Sequence, residues 1–255
     1  MCKQRSASLT ISSLVTLFVV PFFVPSVWAN THSHVRAVSL TLVEGTVIAR
    51  RSGSPRWTRA DLNMPIEQGV SIATARNSFV EVQFENGSTV RVGELSRVDF
   101  LQMGNAMHGG YVSHLNLAAG FATIHVMPRR HDEFVLTASG ASLLPHGKAE
   151  FRADLSRENL RVEVFDGRVR AGDSSQSQQL RSNQVLAYDY NARAVFHVTD
   201  TIQMDEWDNW VQARDQQASM AAYNDPGPGM YEWEKDLIPY GGMGLLPGAF
   251  GETGF

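Results

Sequence analysis

Cysteine is nearly absent. Among 255 residues the single one is Cys2. From residue 3 onward no disulfide can form and no thiol chemistry is available, so the fold must be held by its core alone. A cationic excess is missing too. Lys and Arg total 22 against 26 Asp and Glu, a formal net charge of −4. That balance argues against nucleic acid as a partner, because phosphate binding needs clustered Lys and Arg. After the N-terminal stretch, no apolar run approaches the roughly 20 residues of a membrane-spanning helix. No Gly-rich loop opens a helix to cradle phosphate, and no Gly-x-Ser-x-Gly elbow fixes a nucleophile. Between Val38 and Val198 no long helical period interrupts the chain. An α/β fold with a parallel sheet is therefore not expected.

What is present is alternation. Phe79, Glu81 and Gln83 fall on one side of a pleat, and Val80, Val82 and Phe84 on the other. After Asn86-Gly87, Val90 and Val92 alternate with Thr89 and Arg91. Period-two alternation rich in β-branched and aromatic residues is the strand signal, and a helix would scatter these apolar positions around its circumference. Asn-Gly is the strongest short hairpin turn, because both residues accept positive φ at little cost. A lone hairpin is marginal in water, so its apolar face needs further strands.

The rest of the chain supplies them. Glu44-Gly45, Ala119-Gly120 and Asp166-Gly167 each lie between alternating segments. With Asn86-Gly87 they read as a weak repeat of strand–turn–strand units. The hairpin turns are thus placed at Glu44 and Gly45, Asn86 and Gly87, and Asp166 and Gly167. Many short strands with turns every ~8–12 residues give an all-β domain over residues 30–199. It is a many-stranded antiparallel β-sandwich or jelly roll, or a β-solenoid-like stack.

The ends read differently. Lys3 and Arg5 precede an apolar run from Leu14 to Val27, and Val27-Trp28-Ala29 suits a signal peptidase. Residues 1–29 are the pattern of a secretory signal peptide, which places the mature chain in the periplasm or outside the cell. Pro21 and Pro25 interrupt the run; an uncleaved membrane anchor is the alternative. Cleavage removes two cations and no acids, taking the net charge to −6. Over residues 200–223 the period changes to that of an amphipathic helix. Asp200 or Thr201 can cap it, and Met204, Trp207, Trp210, Val211 and Arg214 share one face. Asp205, Asp208, Asn209, Gln212, Asp215 and Gln216 fall opposite. Pro226 to Gly229 ends the helix. Residues 224–255 are an irregular, partly disordered Gly/Pro tail, whose Tyr231, Trp233, Tyr240 and Phe250 are the candidate partner contacts.

Several of these pieces together resemble the FecR-type domain family. They are Thr41 to Thr46 with Glu44-Gly45, then Trp57, then Ile66 to Thr74, then Phe79 to Phe84. Asn86-Gly87-Ser88 through Val92 and Leu95 to Val98 complete the firm part. The likeness extends less firmly to about Tyr188. It implies an all-β periplasmic module with no catalytic residues. The best-known members relay iron-siderophore signals to an extracytoplasmic sigma factor. That relay needs a cytoplasmic segment, a membrane span and a C-terminal transporter-contact module, and this sequence departs from all three. What the resemblance implies is a secreted domain that binds, senses or scaffolds at the envelope. Its partner would be an envelope protein or a cell-wall component; a membrane is involved only if the leader stays uncleaved.

Other chemistry has little support. The eight histidines are His32, His34, His108, His114, His125, His131, His146 and His197. His114 and His125 lie on consecutive expected strands, but a metal site needs three or four convergent ligands. Glu81, Glu85, Glu94 and Asp99 match the solvated face of a half-buried sheet better than a carboxylate pair. Trp207 and Trp210 at helical spacing match packing against the sheet better than a carbohydrate platform. No enzyme and no cofactor is read from the chain. A membrane-retained sigma-factor regulator and a cupin-like ligand-binding or enzymatic jelly roll are the alternative functions.

Overall fold

The computed structural model describes residues 36–157, 159–173, 175–189 and 196–224. The expected signal peptide, His32, His34, and the tail with Tyr231, Trp233, Tyr240 and Phe250 lie outside the described residues. The early strands are β1 (Ser39–Glu44), β2 (Val47–Arg50), β3 (Thr58–Arg59), β4 (Ser71–Thr74), β5 (Phe79–Gln83) and β6 (Thr89–Val92). Then come β7 (Arg97–Asn105), β8 (Tyr111–Val126), β9 (Glu133–Ala138), β10 (Ala141–Pro145) and β11 (Ala149–Leu155). The last are β12 (Asn159–Asp166), β13 (Arg168–Gly172), β14 (Ser177–Arg181), β15 (Gln184–Asp189) and β16 (Phe196–Thr199). One helix, α1 (Glu206–Asn224), follows.

The strands form two sheets that share β8. The first runs β1-β5-β6-β8-β11-β12-β15-β16. The second runs β3-β2-β4-β7-β8-β9-β10-β13-β14. Every pair is antiparallel except β8 with β9. The whole is therefore mixed, and it does not close into a barrel. A single apolar core draws on both sheets. The first contributes Val80, Val82, Val90, Ile124, Phe151 and Val162; the second contributes Ile72, Val98, Phe100, Leu115, Leu136 and Leu143. Each large side chain so buried contributes about 2 kcal/mol.

The four Gly turns divide into two kinds. Asn86-Gly87 joins two paired strands, β5 and β6. There the Gly87 N–H donates to the Phe84 carbonyl at 3.0 Å, and the Phe84 N–H to the Ser88 carbonyl at 2.9 Å. Gly87 has φ +89, while Asn86 is not left-handed. The loop is thus a three-residue turn ending in a left-handed Gly, rather than a two-residue turn with both residues left-handed. The other three are not hairpin turns. β1 leaves Glu44-Gly45 in the first sheet and β2 begins in the second. β12 and β13 do the same across Asp166-Gly167. Ala119-Gly120 lies inside β8, where the strand exchanges partner β7 for partner β11. At Gly120, φ is +75 and a Cβ would collide with Ser96. The physical reason is that alternation says which face a strand buries, not which strand it lies beside. A two-residue hairpin with both positions left-handed does occur, at Ser139 (φ 47) and Gly140 (φ 87) between β9 and β10.

Candidate functional site

The polar residues of interest lie on the outer face of the first sheet, beneath α1. Strand registry sets them in rows. Glu81 stands opposite Arg91, Arg91 opposite Thr123, Thr123 opposite Arg152, and Arg152 opposite Glu163. All five are buried, none more than 8% exposed. Period-two alternation directs these side chains away from the core, so something else must cover them.

The cover is α1. Its inward face is Trp207, Asp208, Val211, Arg214 and Asp215, spaced as one stripe of a helix. The Trp207 indole N–H donates to Thr123 Oγ1 at 2.9 Å. Its ring lies 5.1 Å from that of Phe121, nearly perpendicular, and 5.5 Å from that of Phe79. Gly93 lies between these two aromatics in the sheet, and a Cβ there would collide with the Phe121 ring. Trp210 stacks on Trp207 at 4.8 Å.

Charge pairs continue the seating. Arg91 donates to Glu81 Oε2 at 2.7 Å and to Asp215 Oδ1 at 2.6 Å. Arg214 reaches back to Glu81 Oε1 at 3.0 Å, and Thr41 donates to the same oxygen at 2.7 Å. Arg152 donates to Asp205 at 2.8 Å, to Asp208 at 3.1 Å and to Asp154 at 3.1 Å. Arg161 holds Glu163 at 2.6 Å. Burial pushes the Glu81 carboxyl up, but the hydrogen bonds from Arg214, Arg91 and Thr41 outweigh it and hold it below the ordinary carboxylate value of 4.5. Burial pulls the Arg152 guanidinium down, yet Asp154 and Asp205 raise it overall.

The helix starts where its cap is. Asp205 Oδ1 accepts from the Asp208 N–H at 3.0 Å, and Asp208 Oδ2 accepts from the Asp205 N–H at 3.0 Å. This is a reciprocal capping box with Asp in place of the usual Glu. Burial pushes the Asp208 carboxyl up, while the Arg152 and Asp208 N–H bonds outweigh burial at Asp205 and hold it low.

Four expectations change here. The cap is Asp205, not Asp200 or Thr201. Asp208 and Asp215 lie on the docking face, because buried arginines in the sheet demand carboxylates from above. Glu81 is not a solvated carboxylate; Glu85, Glu94 and Asp99 serve Arg36, the Asn77 N–H and Arg97. His114 and His125 share one strand but belong to different sheets. Trp57, half-buried, is flanked by the Arg50 and Arg97 guanidiniums at 5.2 and 5.6 Å from its ring centre. The signal that could have found the site was charge complementarity: Arg91 and Arg152 in strands, Asp205, Asp208 and Asp215 in the helix.

A cleft of about 200 Å³ remains between α1 and the sheet. Its lining includes Glu150, Phe165, Met204, Asp208, Val211 and Asp215. Among the described residues, no group of three or more His, Cys, Asp or Glu is placed to hold a metal ion.

The pH response of the seating follows from Glu81. Its folded value lies below its unfolded one, so its contribution is full above the ordinary carboxylate range and is lost as pH falls through the lowered value. Glu81→Gln should therefore be much less stable than wild type in urea at pH 7, with the gap narrowing sharply toward pH 3. A gap that is the same at both pH values would show that the carboxylate is not charged and paired.

Comparison with known proteins adds the following. Residues 70–170 match the family described as FecR protein, the span from just before β4 into β13. None of the curated proteins matches the chain. Two crystal structures of a candidate anti-sigma factor from Parabacteroides distasonis are similar to it. One has 15% identity and a TM-score of 0.45, the other 14% and 0.44. Each comparison covers 51% of this chain and 59% of the other.

Proposed function

We propose that this chain, with a FecR-type match across residues 70–170, is a non-catalytic module that binds or senses a component of the cell envelope, in the periplasm or outside the cell. The observation carrying this reading is the row Glu81-Arg91-Thr123-Arg152-Glu163. Its buried polar groups are committed to one another, to α1 and, at Glu163, to Arg161 on the same strand. A catalytic centre keeps such groups aimed at a reacting atom; here they seat a helix over a sheet. The strands share one apolar core, and the helix side of the first sheet is where a partner or ligand can change the surface.

The test is photo-crosslinking of the full chain in cells, followed by fractionation and N-terminal sequencing. The expected result is soluble periplasmic or secreted material beginning at Asn30, crosslinked to an envelope protein or a cell-wall fragment. Inner-membrane material with Met1 intact and a sigma factor attached would replace this reading with the relay.

A further inference from the structure

The two sheets carry opposite charge. The strands of the first have acids in excess, among them Glu81, Glu150, Asp154 and Glu163. The strands of the second contribute Arg50, Arg59, Arg97, Arg168, Arg170 and Arg181 against Asp99 and Glu133. Their neighbours Ala49, Ala60, Val98, Val169 and Leu180 are buried, so alternation directs all six arginines away from the core. In a chain of net charge −4 this surplus is local. The helix covers the first sheet; among the described residues no helix covers the outer face of the second. Of the six arginines, Arg97 alone is ion-paired among the described residues, to Asp99 at 2.9 Å.

The surplus gathers at two ends. At one, Arg168 stands directly opposite Arg181, and both are exposed. Like charges so placed repel, and an anion lying across them reverses the sign of the interaction. Arg170, two residues along the same strand, lines a hollow of about 570 Å³ with Ser142, Leu144 and Ser177. Asp173, the acid in that lining, accepts from the Ser175 and Gln176 N–H groups. At the other end, the chain from Arg50 to Arg59 adds Arg51 and Arg56 and contains no acid. Here Trp57 holds the Arg50 and Arg97 guanidiniums against its ring. Arg50 stands opposite Ser71, and Arg97 opposite Ala73; these small residues leave the space in which both long side chains reach the indole. Arg50 spends a single 3.3 Å hydrogen bond on Ser71 Oγ and, among the described residues, meets no carboxylate.

We infer that the outer face of the second sheet is a docking surface for an acidic polysaccharide. One register row crosses it from Arg50 through Asn116, Thr137 and Ser142 to Gly172, beside Arg170. It passes over six strand spacings, about 30 Å in all. Guanidinium forks at either end match carboxylates. Between them, half-buried Asn116, Thr137 and Ser142 offer uncharged donors and acceptors to sugar hydroxyls. Asp99, the acid on the row, is engaged by Arg97. Charged ends and a neutral, hydrogen-bonding middle fit a polymer with hydroxyls throughout and carboxylates at intervals. A nucleic acid, with a phosphate at every step, would need cations along the middle as well. A membrane would need apolar side chains to insert, and the row has none. The inference deepens the envelope reading and rests on it for access to such a polymer; it adds a surface away from α1.

The experiment titrates the purified full chain with alginate by calorimetry. Neutral dextran, phosphatidylglycerol vesicles and single-stranded DNA are titrated in parallel. The Trp57 indole N–H resonance, assigned with Trp57→Phe, is followed. The expected result is saturable alginate binding that shifts this resonance, weakens as salt is raised and is absent with dextran. Replacing Arg168, Arg170 and Arg181 together with Gln should weaken it about tenfold or more. Arg181→Gln alone removes one member of a repelling pair, so its melting temperature should stay level or rise while alginate binding falls. That combination separates a lost ligand contact from a damaged fold. No saturable alginate binding, equal binding by the triple variant, or tighter binding of vesicles or DNA overturns the proposal. Cellular location does not enter the titration. A failed titration therefore removes this surface alone, while the crosslinking and fractionation results decide the envelope reading.

Discussion

Arg91→Ala is expected to cost about 3–5 kcal/mol of unfolding free energy, enough to unfold a marginal domain. Arg91 is 2% exposed, and its guanidinium lies between Glu81 and Asp215. Truncation leaves Glu81 buried with only Arg214 and Thr41 to compensate it. The cost comes from the stranded charge and not from the net worth of the pair. The double variant Glu81→Leu with Arg91→Met should therefore recover at least half of the loss, because it removes both buried charges and keeps the volume. Arg214, about a quarter exposed, can turn to water. Urea denaturation of wild type and the two variants measures the loss and its recovery. If the single variant costs under about 1 kcal/mol, the row is hydrated and the helix is not a true cover.

The same row shows how far the sequence could be read. The strands themselves were legible. Val80, Val82, Val90 and Val92 alternate, and all four are fully buried. The hidden part was the other face. Alternation marks Glu81, Arg91, Thr123, Arg152 and Glu163 as pointing away from the core, and a face pointing away from the core is ordinarily wet. Whether it is wet depends on an element more than a hundred residues later in the chain, since Arg91 and Asp215 are 124 positions apart. The helix was legible as a helix but not in its orientation. Its inward stripe mixes Trp207 and Val211 with Asp208, Arg214 and Asp215, so a rule that turns apolar residues inward misplaces the two acids. The turns failed for a related reason. Gly45 and Gly167 carry the left-handed backbone that a turn requires, yet they turn the chain between sheets. Local chemistry specifies a turn; the partner strand is specified by which apolar faces meet in the core.

The second large effect concerns Trp207. Replacing it with alanine should remove about 3–5 kcal/mol from the docking of α1. The indole is 7% exposed, packs on Phe79 and Phe121, and donates to Thr123. Val211 is the only other apolar side chain of α1 that is buried among the described residues. The remaining contacts are ion pairs, and several of their carboxylates are open to water: Asp205 is 52% and Asp215 37% exposed. Such pairs contribute little once the aromatic anchor is gone. A free helix of this length is marginal in water, so release should appear as lost helical signal as well as lost contact. The strands have their own core and should survive. In hydrogen exchange, α1 amides should approach unprotected rates while those of β5 and β6 remain slow. Trp207→Phe keeps a ring over Phe79 and Phe121 but loses the bond to Thr123, so it should cost only about 1–2 kcal/mol and leave α1 seated. The contrary outcome is plain. If β5 and β6 lose protection together with α1, the helix belongs to the cooperative core, and no partner or ligand could move it without unfolding the sheets beneath.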